Sequence, residues 1–274
     1  MKTSNKFSLD GKVIIVTGAT GVLGHSFIKD LATQGAIVGV LGRNEKVAEE
    51  RVAEIEQAGG KAIALIADVS DQAQLEAACK KVLDKFQKID GLVNAAGGNQ
   101  PGAVVQPNDQ VFELNMDALK QVMDLNLFGT LLPTQIFGKA IAETSQRGSI
   151  VNISSVAAHG AVTRVLGYSL AKTAIEAYTK WFAVEMANRY GDKLRMNALV
   201  PGFFLAEQNR RLLTNEDGSY TDRGEKVIRS TPYKRFGNPD ELTGALIWLL
   251  SDESTFVNGT SIKVDGGFTV FSGV

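Results

Sequence analysis

The sequence predicts an α/β chain with one domain: a doubly wound parallel sheet of seven strands with helices on both faces. Three observations carry this expectation. Short apolar runs alternate with longer runs of helical periodicity, the rhythm of βαβ units with right-handed crossovers. A glycine cluster sits where the first strand should turn into the first helix. No tandem repeat, low-complexity tract or proline-rich linker interrupts the 274 residues, so residues 1–274 read as a single unit.

Val13-Ile14-Ile15-Val16-Thr17 follows the turn at Asp10-Gly11 and reads as a buried strand. It runs into Gly18-Ala19-Thr20-Gly21-Val22-Leu23-Gly24, then into a helical pattern to about Gln34. Glycines in such a turn permit a tight bend and let backbone approach a phosphate at the helix N-terminus. Ala36 to Leu41 reads as a strand, Glu45 to Ala58 as a charged helix, and Lys61 to Ala67 as a strand. A helix follows over Asp71 to Phe86, with Asp71 in its first turn, and Ile89 to Asn94 is the fourth strand. The small residues Asn94-Ala95-Ala96-Gly97 close that strand and leave room for a ligand against its end.

Gly98 to Asn115 is long for a βα connection, and long loops in compact domains are usually functional or mobile. A helical pattern then runs from Met116 to about Glu143, yet it contains Asn126-Leu127-Phe128-Gly129. Asn and Gly oppose helix propensity, and such local conflict marks a site. The apolar run Gly148 to Ser154 reads as a strand ending at Ser155. Lys193 to Leu199 is the sixth strand, leading to Pro201-Gly202. A long excursion over 203–236 precedes a helix from Pro239 to Leu250, and Thr260 to Val264 is the last strand.

The chemistry centres on Tyr168 and Lys172. At positions i and i+4 of a helix the two side chains share one face. A phenol with pKa near 10 is a poor acid–base catalyst at neutral pH, and an adjacent ammonium is expected to lower it. Ser155 could bind the oxygen that Tyr168 protonates. The bulk numbers exclude other classes. Apolar residues make up 44% and charged residues 22%, with net charge −1, which gives no reason to expect nucleic acid or an anionic membrane as partner. No run approaches transmembrane length and Met1 to Asp10 lacks a signal-peptide core, so a cytoplasmic location is expected. Cys79 is the lone cysteine, and His25 and His159 have no metal-ligand spacing, so no metal is expected.

The chain resembles the short-chain dehydrogenase/reductase family over nearly its whole length. The matching residues are Thr17-Gly18 with Gly21 and Gly24, Asp68-Val69, Asn94 to Gly97, Asn126, Ser155, Tyr168 with Lys172, Pro201-Gly202, and Val264 to Gly267. The resemblance implies a Rossmann fold and hydride transfer between a nicotinamide cofactor and a carbonyl or alcohol. It implies Tyr168 as general acid/base, with Lys172 lowering its pKa and holding the nicotinamide ribose. Ser155 would orient the substrate oxygen and Asn126 would anchor a relay water. Gly18, Thr20, Gly21, Val22, Leu23 and Gly24 would cradle the pyrophosphate. Asp68 and Val69 would meet the adenine, Asn94 with Ala95, Ala96 and Gly97 the ribose region, and Pro201, Gly202 and Phe203 the nicotinamide. One departure stands out: Ala206 occupies the place of a Thr that commonly holds the carboxamide.

Gly42, Arg43 and Asn44 end the second strand, where an acidic residue would favour NAD. Space at Gly42 and the planar fork of Arg43 suit a 2′-phosphate, so NADP is preferred and NAD remains open. Asn99, His159, Arg164, Gln208, Asn209, Arg210 and Arg211 should border the substrate and suggest a polar anion, with Ser155. Three stretches, Gly97-Gly98-Asn99, Leu131 to Gln135, and Pro201 to Phe204 continuing through Glu207 to Arg210, resemble the D-mannonate oxidoreductase (fructuronate reductase) branch. The implied substrate is a sugar acid held under a lid within 203–236, with the carboxylate on Arg210 or Arg211. Gluconate 5-dehydrogenase and 3-oxoacyl thioester reductase activities are the enzymatic alternatives, and a dinucleotide-binding sensor or scaffold the non-enzymatic one. The apolar stretches around Phe137 and Trp181 fit core or subunit interface, and the resemblance implies a homotetramer or homodimer.

Overall fold

The computed structural model describes residues 6–205, 210 and 212–273. Seven parallel strands form one sheet: β1 Val13–Thr17, β2 Ile37–Gly42, β3 Lys61–Ile66, β4 Gly91–Asn94, β5 Gly148–Ile153, β6 Leu194–Pro201 and β7 Ser261–Val264. Their order is β3-β2-β1-β4-β5-β6-β7. The winding reverses between β1 and β4, where Thr17 pairs with Asn94 at the carboxyl ends. Ligands of open α/β sheets bind in the crevice outside that point.

Alternation along the strands builds two cores, as strand periodicity requires. In β1, Ile14 and Val16 face one side and Val13 and Ile15 the other. The first side is covered by α1 (Val22–Thr33), α2 (Glu45–Gln57) and α8 (Thr243–Leu250), through Phe27, Leu31, Ile55 and Leu246. The second is covered by α3 (Gln72–Phe86), α5 (Gly129–Thr144) and α6 (Leu166–Tyr190), through Leu75, Val82, Phe137 and Ala183. Side-chain caps start several helices: Asn44 accepts from the Val47 amide, and Asp71 accepts from the Gln74 amide.

The helix expected over 116–143 is interrupted. Met116–Met123 forms α4, Asp124–Phe128 forms a π turn, and only then does α5 begin. The wider turn lets the Asn126 amide donate to the Val122 carbonyl at 2.8 Å while its other bonds reach Gly98. β6 starts one residue later than expected and runs on to Pro201, which stands in register with Val264. The excursion after β6 contains α7 (Asp222–Ser230), which closes a small core of Leu213, Val227 and Phe236 over the sheet's carboxyl edge. Phe137 is fully buried, whereas Trp181 on α6 is 62% exposed.

Candidate active site

The strand-to-helix turn after β1 is shaped by what a side chain would hit. Gly18 has φ of +65°, and a Cβ there would lie 2.8 Å from the backbone of Ala95 and Ala96. A Cβ on Gly24 would meet the Gly18 carbonyl oxygen at 2.2 Å, so helix and turn touch without side chains between them. Gly21 caps α1 without a side-chain bond, and the first amides from Val22 onward have no intrahelical acceptor. They face outward as an anion cradle. Thr17, buried at the end of β1, accepts from the amides of Ala95 and Ala96 at 3.1 Å each and so ties the two switch-point strands together.

The end of β2 is equally bare. A Cβ on Gly42 would lie 2.7 Å from Thr20 Cγ2, which leaves no room for an acidic side chain beside the glycine turn. Arg43 is 75% exposed and pairs at 3.5 Å with Asp68. Asp68 accepts from the Ser70 amide and hydroxyl, bonds that together with Arg43 hold its carboxyl below the usual range. Val69 is buried against Gly129, and Asn44 is occupied as the α2 cap.

Asn94 departs from the ribose role the sequence suggested. Its side chain is 1% exposed, and its amide donates to Thr134 Oγ1 and Asn152 Oδ1, both at 2.8 Å. Full burial turns that group into the fold, while Ala95, Ala96 and Gly97 after it are partly exposed. Nothing in the sequence tied Thr134 or Asn152 to Asn94; their place follows from three elements meeting at one point.

The four residues expected at the reacting centre come together. The Tyr168 phenol hydrogen-bonds Ser155, and Lys172 Nζ lies 5.4 Å from the Tyr168 ring centre. Lys172 is 4% exposed and donates to the Ile153 carbonyl at 2.8 Å. Asn126 Oδ1 accepts from the Gly98 amide at 3.0 Å, and its amide returns a bond of 2.7 Å to the Gly98 carbonyl. Gly97 lies between Asn126 and Lys172: a Cβ there would be 2.6 Å from Asn126 Oδ1 and 3.3 Å from Lys172 Nζ.

Burial raises the Tyr168 pKa, outweighing the opposing bond from Ser155, so the phenol rests neutral with its proton in place. Burial likewise brings Lys172 down to about 8.

The substrate-side residues divide. Asn99 is exposed and accepts from the Gln100 amide. His159 bonds Glu176 at 2.9 Å, and that buried carboxylate also accepts from Ser154 and Ser261. This network takes up one nitrogen of His159 behind the centre, and Glu176 was not singled out by the sequence. Arg164 precedes Tyr168 by one helical turn and has a left-handed backbone, φ +76°. Arg210 is exposed, while Ala206, Gln208, Asn209 and Arg211 lie outside the described residues. Gly202 donates to the Val264 carbonyl at 2.9 Å, and Phe203 stacks edge-on with Phe268 at 5.0 Å. Pro201 and Gly202 thus stand at the carboxyl end of β6, and Phe203 joins the α7 core.

A family model described as enoyl-(acyl carrier protein) reductase matches residues 18–269. The uncharacterized oxidoreductase UxuB of Bacillus subtilis is 40% identical, covering 97% of this chain and 98% of its own. The chain belongs to the short-chain dehydrogenase/reductase family. Among solved members, a provisionally assigned D-mannonate oxidoreductase from Haemophilus influenza with bound NAD is 38% identical, with TM-score 0.90 over 97% of this chain and 98% of its own. A gluconate 5-dehydrogenase from Burkholderia cenocepacia J2315, in complex with NADP and tartrate, is 32% identical, with TM-score 0.85 over the same shares. Like its family, the chain is an oxidoreductase. Among the described residues no helix is long and apolar enough to cross a membrane, and no cluster of His, Cys, Asp or Glu could hold a metal ion.

Proposed function

We propose that the chain interconverts a ketone and a secondary alcohol on a sugar acid, D-fructuronate and D-mannonate, with NADP preferred and NAD accepted. The observation that carries the ketone–alcohol chemistry of this reading is the Tyr168 phenol bonded to Ser155 beside a buried Lys172 that pairs with no carboxylate among the described residues. A dinucleotide fits the residues present: Gly18, Gly21, Gly24 and Gly97 leave a cradle that any Cβ would narrow or fill. When bound, it supplies or accepts the hydride.

The chain's own residues handle the proton. In the reducing direction Ser155 donates to the carbonyl oxygen while Tyr168 Oη delivers its proton to that oxygen. Lys172, once protonated, stabilises the phenolate left behind. Asn126 keeps the loop after β4 in place through both of its bonds to Gly98, so the floor beneath Lys172 stays open. Arg43 would exchange its exposed pairing with Asp68 for a 2′-phosphate, a small loss for a long surface contact. The exposed Trp181 and Val184 on α6 suit a helix–helix contact between subunits, in line with a homotetramer.

Gluconate 5-dehydrogenase activity is the second reading, favoured by the solved structure of that activity at 32% identity. Steady-state rates with fructuronate, 5-ketogluconate and an acetoacetyl thioester test the proposal. The sugar acids should win; a clear preference for the thioester would overturn it.

A further inference from the structure

Arg223 reaches Thr163, the neighbour of Arg164, where three segments converge on the start of the catalytic helix. Thr163 and Arg164 lead into α6, four to five residues before Tyr168. From the post-β4 loop, the Val105 amide donates to the Arg164 carbonyl at 3.0 Å. From the α7 side, Arg223 donates to the Thr163 carbonyl at 3.3 Å and approaches the Thr163 hydroxyl at 3.5 Å. These long contacts leave most of the five donors of the Arg223 fork unused. Among the described residues neither Arg164 nor Arg223 pairs with a carboxylate, although both are partly buried. Arg164 is close enough to depress the Arg223 pKa, alongside the larger effect of burial.

Partial burial and like charge both oppose this arrangement, and among the described residues the pair has no counter-charge. The Arg164 backbone sharpens the point. A long side chain at φ +76° is uncommon and costs energy, and such strain gathers at ligand clamps. Resting on the sugar-acid reading, we infer that Arg164 and Arg223 together seat the substrate carboxylate while its ketone lies at Tyr168. A carboxylate bridging the two forks would also fasten α7 to the catalytic helix. Fructuronate and 5-ketogluconate both carry ketone and carboxylate well apart on one carbon chain. This placement assigns the anion to Arg223, which sequence reasoning passed over, rather than to Arg210.

The test compares Arg223→Gln, Arg164→Gly and, as a control on the same helix, Arg229→Gln. Glycine keeps the left-handed backbone at position 164 available. Loss of one charged hydrogen-bonding partner should raise KM for fructuronate and 5-ketogluconate about 10- to 100-fold in the first two variants, with kcat changed less than about twofold. Kinetics with fructose, a neutral ketose, should not change. Thermal shifts on adding gluconate, mannonate or tartrate at fixed NADP should disappear in the same two variants and persist in Arg229→Gln. Wild-type affinity for the sugar acids in both variants would overturn the inference and leave the proposed function standing. Should the wild type reduce neither sugar acid, the proposed function falls and the thermal shifts decide the arginine pair. An anion shift abolished by Arg223→Gln upholds the pair; no anion shift in the wild type overturns it.

Discussion

Gly97→Ala tests the packing at the centre of the site with a single methyl group. The added Cβ would lie 2.6 Å from Asn126 Oδ1, and real contacts of this kind do not persist at that distance. Asn126 is fully buried, and its side chain makes three bonds, of 3.0, 2.7 and 2.8 Å, to Gly98 and Val122. Shifting the amide strands at least one buried backbone partner, at about 1–3 kcal/mol. Overpacking adds about 1–3 kcal/mol. The sum, about 2–6 kcal/mol, corresponds to a fall in Tm of about 4–24 °C for a domain of this size. Calorimetry on Gly97→Ala, Asn126→Ala and the double variant closes a cycle. If the clash is the cause, the double variant loses little more than Asn126→Ala alone. Costs that add to within about 0.5 kcal/mol would refute the reasoning.

Arg43→Ala should weaken NADP binding far more than NAD binding, by about 10-fold or more, because only NADP carries the phosphate its fork would hold; equal losses in a fluorescence titration would remove Arg43 from that site. Lys172 sets a pH dependence of stability in the cofactor-free protein. Its folded pKa, about 8, lies below the unperturbed 10.5, so the unfolded chain binds more protons between those values. Lys172 should therefore contribute a rise in stability as pH climbs from about 8 toward 10.5, by up to about 3 kcal/mol, measured against the opposite contribution of groups such as Cys79 that burial raises. In Lys172→Met that rise should vanish in urea titrations at pH 7.5 and 10, and an identical rise in both proteins would contradict the burial of the charge.

Much of the fold was legible because its signals are local. In β1, alternate residues enter two cores, and the apolar run Val13–Thr17 announces a strand buried on both faces. The glycines after it follow from backbone space. The conflict of Asn126 and Gly129 with helix propensity pointed to a site, but not to a π turn, whose widening depends on Gly98 arriving from another segment. Long-range meetings stayed hidden. Asn94 looked like a ligand contact until Thr134 and Asn152 enclosed its amide. His159 was placed at the substrate, and nothing in the sequence announced its bond to Glu176. Spacing placed Tyr168 and Lys172 on one face, yet could not show that the Lys172 ammonium would donate to the Ile153 carbonyl.

The central claim is that the Tyr168 phenol supplies the proton to a carbonyl on a sugar acid. Nicotinamide absorbance followed with 5-ketogluconate and fructuronate, for wild type and Tyr168→Phe, tests it most directly. The loss of one oxygen should lower kcat by at least about 10²–10⁴-fold while cofactor affinity holds. Near-native turnover by Tyr168→Phe would contradict the account.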